Sequence, residues 1–193
     1  MRAIGVKEKV EQAALALFAA RGVDGVSIAD IASAAGVAQG ALYRHYRSKD
    51  ELALSLFSTA YRQVGAELQE IVLREPKFAA RIRAMIAHFC ALYDSDAALF
   101  RFLLLAQHSL LEDVPDGDGS APVAAVEKAV TDAVACGEIG RVDVTTAAAA
   151  IMGIVLQTAL FHVYGRITGP LTPRAPALAD AALAAVAALA DQP

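Results

Sequence analysis

A glycine set between two short runs of helix formers most constrains this chain. It lies in the stretch from Ser27 to Leu52, SIADIASAAGVAQGALYRHYRSKDEL. Before it, Ile28, Ile31, Ala32 and Ala35 recur at the i, i+3, i+4, i+7 spacing that gives a helix one apolar side. Ser27 stands ahead of them as a cap, and Asp30 sits where a carboxylate can return the bond and meet the positive helix end. Gly36 can adopt the left-handed conformation that ends a helix in a sharp turn. Val37 then fills the angle between this helix and the next.

The segment from Ala38 to about Tyr46 has one clear inward residue in its middle, Leu42. It is otherwise small or hydrogen-bonding: Gln39, Gly40, Ala41, Tyr43, Arg44 and His45. A short helix with so few core contacts is a poor structural element unless its outer face meets a partner. Small Gly40 and Ala41 let the backbone approach a groove floor, and Gln39 carries the two-pronged amide that suits adenine. Tyr43, His45 and Lys49 can reach phosphates. Ser48, with Glu51 three residues later, is a capping box that starts a new helix at once. The stretch reads as a helix-turn-helix that enters DNA.

These residues resemble the DNA-binding motif of the tetracycline-repressor (TetR) family of bacterial regulators. There a Ser or Thr precedes I-x-D-I-A, followed by A-G-V, G-x-L-Y, and finally S-K and a leucine. The matching positions are Ser27, Ile28, Asp30, Ile31, Ala32, Ala35, Gly36, Val37, Gly40, Leu42, Tyr43, Ser48, Lys49 and Leu52. There are departures. Ala38 stands where the family often has a capping serine, Ala41 where many members carry a hydroxyl, and Tyr46 where phenylalanine is usual. The first two remove phosphate or base contacts and leave more of the reading to Gln39 and Tyr43. The residues expected at DNA are Ser27, Ala38, Gln39, Gly40, Ala41, Tyr43, Arg44, His45 and Lys49.

The net charge of -4 suits a DNA binder only when it is divided. Residues 1–49 hold Arg2, Lys7, Lys9, Arg21, Arg44, Arg47 and Lys49 against Glu8, Glu11, Asp24 and Asp30, a balance of +3, so the rest carries -7. A basic head on an acidic body keeps the body off the phosphates. The expected division is a DNA-binding domain over 1–47 and a ligand-binding and dimerisation domain over 48–193. Hydrophobic residues make up 56% of the chain, which excludes disorder and suggests apolar surface hidden between subunits. Cys90 and Cys136 have no metal-like or redox-pair spacing and read as buried thiols in a reducing cytoplasm. The N-terminus lacks the apolar core of a signal peptide.

Helix signals dominate, so the fold expected is all-α. It comprises a three-helix head, a long helix from Ser48 to about Arg74, and a helical body, about nine helices in total. The opening helix, about Lys7 to Arg21, places Val6, Val10, Ala14, Leu17 and Phe18 on one face and ends at Gly22. Ala53, Phe57, Ala60, Val64, Leu68 and Ile71 mark the inner side of the long helix. A helix with Pro76 in its first turn follows, carrying Phe78, Ile82, Met85, Ile86, Phe89 and Tyr93 inward. After the corner Asp94-Ser95-Asp96 comes one bearing Leu99, Phe102, Leu103, Ala106 and Leu110. The acidic stretch EDVPDGDGSAP then reads as a surface loop or a locally disordered segment, and its glycines do not resemble a phosphate cradle. Helices from about Val123 to Cys136 and from Asp143 to about Arg166 lead to a last one opened by Thr172 and Pro173.

From Val144 to Pro193 the charged residues are Arg166, Arg174, Asp180 and Asp191, too few to solvate two long helices on all sides. A second copy is the simplest cover, through Ala148, Met152, Val155, Leu156, Ala159, Leu160, Val163, Leu178 and Val186, and the TetR resemblance implies the same. Val144 to Gly165 is also long enough to cross a bilayer. Its threonines, Gln157, His162 and the lack of an aromatic belt argue for a buried helix instead. No catalytic, metal or cofactor constellation is found. His88 and Cys90 point apart on one helix, and Asp94 and Asp96 read as caps. Phe57, Tyr61, Phe89, Tyr93, Phe102, Gln107, His108 and His162 combine aromatic walls with a few polar groups, the composition of a pocket for a largely apolar or aromatic small molecule.

The function expected is a cytoplasmic, homodimeric regulator that binds a pseudo-palindromic operator in double-stranded DNA. By family default it is a repressor released by a ligand that shifts the long helix. Two rivals remain. One is a DNA-binding dimer without a small-molecule effector, controlled by abundance or a protein partner; the other is a membrane or scaffold protein anchored through Val144 to Gly165.

Overall fold

The caps anticipated in the sequence set the ends of most helices in this computed structural model, which describes residues 5–114 and 121–190. Nine α-helices occur among the described residues, and no strand: α1 (Val6–Arg21), α2 (Ile28–Ala35), α3 (Gln39–Tyr43), α4 (Lys49–Arg74), α5 (Phe78–Ser95), α6 (Ala97–Leu110), α7 (Pro122–Ala135), α8 (Val144–Val163) and α9 (Ala175–Ala190). Short 3-10 turns, Leu111–Asp113 and Thr172–Arg174, follow α6 and precede α9. The loop expected over residues 112–122 is described only at its ends; residues 115–120, with its glycines, lie outside the described residues.

By packing, the chain forms two units: residues 5–60 with 96–114, and residues 61–95 with 121–190. In the first, α1 packs on α2, α3 and α6. Phe18 of α1 stacks on Phe102 of α6 with ring centroids 5.8 Å apart, and Phe57 of α4 meets Phe102 edge-on at 6.3 Å. The Arg101 Nε donates at 2.7 Å to the Ala19 carbonyl, which lies in the last turn of α1 and lacks an in-helix partner. A helix far along the chain therefore belongs with the first three. The division at 47/48 drawn from the sequence rests on motif content alone.

In the second unit α8 packs on α7 and α9, and α5 on α7 and α9. Asp143 caps α8 through the Thr146 N–H at 2.8 Å. Glu138, just past α7, accepts from the first N–H of α5 at Phe78 (2.9 Å), and Arg81 bonds Asp132 at 3.0 Å. By length and composition, Val144–Val163 and Thr172–Ala190 could each cross a membrane. Within the unit, however, α8 buries Ala147, Ala148, Ile151, Val155 and Ala159 against its neighbours.

Several details differ from the expectation. Val6 is 43% exposed, because α1 begins there and the inward stripe starts only at Val10. Pro76 lies in the link before α5 and not in its first turn. Cys90 takes the buried place expected for Phe89, and on α6 Phe100 and Leu104 are buried where Leu99 and Leu103 are half-exposed. Helical periodicity allows either stripe, and the choice falls to the packing partner. Thr172 does not cap the last helix; its hydroxyl donates to Asp94. Cys136 is exposed at the end of α7, whereas Cys90 is buried, and burial followed by the nearby Asp94 charge pushes its thiol up to about 11.

Asp94 ties α5 to the start of α9. Its carboxylate accepts from the Leu171 and Thr172 N–H groups, both at 2.8 Å, and from the Thr172 hydroxyl at 2.6 Å. Burial pulls its pKa upward, but these donors, led by the Thr172 hydroxyl, outweigh it and leave the carboxyl below the usual range. Asp30 and Asp143, held by their cap bonds, are lowered as well. A depressed folded pKa stabilises fully above the unfolded value of about 3.9, and that contribution vanishes as pH falls through the lower folded value. For these carboxylates the unfolding temperature is expected to stay level from neutral pH to about 5 and to drop below about 4. Asp94→Asn, compared with the parent in melts across that range, should flatten part of the acid limb.

Candidate nucleic-acid interface

The first arm of the interface, α2, is built as its sequence asks. The Ser27 hydroxyl accepts from the Asp30 N–H at 3.1 Å and donates to the Asp30 carboxylate at 2.7 Å, while the Ser27 N–H gives that carboxylate a 2.9 Å bond. The capping box is complete, and it uses the hydroxyl hydrogen that Ser27 would need to contact a phosphate. Gly36 ends the helix at φ 64°, ψ 38°, the left-handed conformation. Val37 donates back to the Ala32 carbonyl at 3.0 Å and is half-buried in the corner.

The second arm, α3, is shorter than expected, ending at Tyr43 and not near Tyr46. Its N-cap, Ala38, makes no side-chain bond, and the Ala41 N–H bonds the Ala38 carbonyl at 2.9 Å. Leu42 is its one buried side chain. Gln39, Gly40, Tyr43, Arg44 and His45 are exposed, Tyr43 to 54%, while Ala41 and Lys49 are half-exposed. Beyond α3 the Ser48 hydroxyl accepts from the Glu51 N–H at 3.0 Å. The Glu51 carboxylate reaches one residue further back than a standard box, to the Arg47 N–H at 2.6 Å.

One element of the interface was noted in the sequence only as a departure. The buried Tyr46 hydroxyl donates to the Glu11 carboxylate of α1 at 2.5 Å. Burial, then that carboxylate, hold the phenol above the ordinary tyrosine range. Phenylalanine could fill the same space but could not tether the end of the reading segment to α1.

The residues expected around a small molecule fall in both units. Phe57, Phe102, Gln107 and His108 belong to the first; the two phenylalanines are in its aromatic core, Gln107 is half-exposed and His108 exposed. Tyr61, Phe89, Tyr93 and His162 belong to the second. There the Tyr93 hydroxyl donates to His162 Nδ1 at 2.9 Å, because His162 Nε2 must carry the hydrogen it gives the Gly169 carbonyl at 2.9 Å. A cavity of about 500 Å³ that the sequence did not reveal opens beside Val134, Arg141, Val142, Asp143, Thr146 and Leu189. It joins residues from three separated segments and includes none of the eight. Among the described residues no cluster of metal-ligating side chains occurs.

Of the residues expected between subunits, Ala148, Val155, Ala159 and Val186 are buried within their own unit. They lie on α8 and α9, which pack on α7, on α5 and on each other, and are already covered in the single chain. Met152, Leu156, Leu160, Val163 and Leu178 remain partly exposed. A fully outward stripe of α8 runs through Ala149, Gly153, Gln157 and Phe161 to Tyr164, with Phe161 45% and Tyr164 61% exposed.

Residues 12–56 match the family model described as bacterial regulatory proteins, tetR family. Over 63 residues the chain is 40% identical to the HTH-type transcriptional regulator CymR of Pseudomonas putida, covering 33% of this chain and 31% of that protein. It is 34% identical over 59 residues to the HTH-type transcriptional regulator AcrR of Shigella flexneri, covering 31% and 27%. These matches span about a third of the length of the curated relatives. The fold likeness extends further. The transcriptional regulator FadR from Bacillus subtilis, solved in complex with stearoyl-CoA, superposes with a TM-score of 0.79 at 20% identity over 90% of this chain and 96% of that one. A bacterial regulatory protein in the tetR family from Rhodococcus gives 0.80 at 19% identity over 94% and 96%.

Proposed function

We propose that this chain, whose residues 12–56 match the tetR family of bacterial regulatory proteins, is a homodimeric transcriptional regulator of that family that binds DNA through α3 and releases it when a small molecule binds the body. The observation that carries this reading is the exposed outer face of α3. A five-residue helix anchored by Leu42 alone displays Gln39, Tyr43, Arg44 and His45 to solvent, an arrangement that stabilises nothing in the free protein. The functional division at 47/48 belongs to the same proposal, as do a cytoplasmic location and a regulatory, non-enzymatic role.

Dimerisation through α8 and α9 is supported by the uncharged stripe from Ala149 to Tyr164, which leaves two aromatic rings in water in a lone chain. Two copies related by a two-fold axis present two α3 helices to half-sites about 34 Å apart. Two elements suit transmission of a ligand signal. The first is α4, uninterrupted from Lys49 to Arg74; the second is α6, docked on α1 through Phe102 and Arg101. The ligand acts by binding the DNA-incompetent state more tightly than the competent one. A largely apolar acyl compound is the first to test, since a fold neighbour was solved with stearoyl-CoA. Such a ligand should raise the unfolding temperature with concentration and lower DNA affinity; a tight DNA binder that no acyl compound stabilises would favour control by abundance or a protein partner.

The DNA assignment is tested by binding to fragments that the protein retains from genomic DNA, across a salt series. Tyr43→Ala should weaken binding without changing the unfolding temperature, and Lys49→Ala should reduce the slope of log K against log salt by about one. Unchanged affinity and slope in both variants would overturn the phosphate roles given to them.

A further inference from the structure

The part of the interface that the reading above leaves open is what the first turn of α3 reads. In helix-turn-helix proteins the early residues of the second helix meet the base edges. Here those residues are Ala38, Gln39, Gly40 and Ala41, and none is the arginine or lysine that reads guanine. The cations Arg44, Arg47 and Lys49 come only at or after the end of the helix. Gln39 is exposed, and its amide oxygen can accept from the adenine N6–H while its NH2 donates to N7, a complementary pair. Exposed Ala38 and half-exposed Ala41 offer methyl groups beside it, the kind of surface that meets the thymine methyl.

Gly40 supplies the observation that the protein's own packing does not explain. Its φ is not positive, so no special backbone conformation requires glycine, and a Cβ built there meets no atom within 4 Å. Glycine costs up to about 1 kcal/mol relative to alanine inside a helix, and a smaller part of that in the first turn, where Gly40 stands. The free chain thus bears a penalty from which it gains nothing sterically. The gain comes when the helix backbone lies against something closer than a Cβ would allow.

We infer that each half-site carries A·T pairs under the first turn of α3, an adenine read by Gln39 and a neighbouring thymine methyl packed on Ala38 or Ala41, at a backbone approach that Gly40 permits. This rests on the DNA-binding proposal, and the experiment separates the two. The full chain is used to select from a random duplex library, and the recovered half-site is then resynthesised with single-atom changes. Uracil in place of thymine, which removes only the methyl, should weaken binding roughly three- to fivefold per position. Replacing adenine by 7-deazaadenine should weaken it about tenfold for the parent and not at all for Gln39→Ala. Gly40→Ala should raise the unfolding temperature or leave it level and still lower affinity about tenfold or more, opposite signs that a purely structural glycine cannot produce. Selection of G·C under the first turn, or indifference to both base analogues, overturns the A·T reading while leaving a DNA-binding regulator in place. Failure to retain any duplex at low salt overturns both.

Discussion

Phe102→Ala is expected to lower the unfolding free energy by about 3–5 kcal/mol, a fall in unfolding temperature of roughly 6–20 °C for a chain of this size. Phe102 is 1% exposed, stacked on Phe18 of α1 and met edge-on by Phe57 of α4. Truncation removes the shared ring from both contacts and leaves two phenylalanines facing a void that helices cannot easily collapse into. DNA binding should weaken as well if α3 is the proposed reading helix, because the lost contact anchors α6 to α1 of the same unit. Phe102→Leu, which keeps most of the volume, should cost distinctly less. Thermal melts of both variants decide it: a change below about 1 kcal/mol in Phe102→Ala would mean that α6 does not hold α1 in solution.

Leu42→Ala tests the interface with an effect of a different kind. Leu42 is fully buried and the one core anchor of α3, so its truncation carries the usual cost of about 2–5 kcal/mol. A five-residue helix can come loose at less expense than unfolding its whole unit. The far-UV helix signal should therefore change little while specific DNA affinity falls about thirtyfold or more, each 1.4 kcal/mol being tenfold. Ala38 contributes no cap to hold the segment once Leu42 is gone, although the Tyr46–Glu11 bond still fastens its far end. Retained affinity with a lowered melting temperature would show that the reading surface does not depend on this anchor.

Much of the interface was legible because its signals are local. The Ser27–Asp30 box, the left-handed Gly36 and the restart at Ser48 each depend on residues within four positions of one another, and such bonds form whatever the rest of the chain does. Illegible was everything set by partners distant in sequence. Tyr46 reaches Glu11 thirty-five positions away, and Arg101 reaches Ala19 at a separation of eighty-two. Asp94 read as a local cap, yet it binds Leu171 and Thr172. Composition marked α8 and α9 as needing extra cover but did not say which side each shows outward. Ala148, Val155, Ala159 and Val186 consequently pack within their unit, while Gly153, Gln157 and Phe161 face solvent.

The chain's amino acids alone determined that it is all helix, where each helix starts and stops to within a few residues, and that one short helix carries polar groups with no internal use. Those properties follow from caps, glycines and periodicity, which act over a turn or two. Tertiary structure alone decided that α6 joins the unit of α1, α2 and α3, that the buried stripe of α6 includes Phe100 and Leu104, and which side of α8 faces solvent. A helical pattern fixes that one side is apolar, but where that side is nearly all alanine, leucine and valine, only the shape of the neighbouring helix selects the residues that are covered.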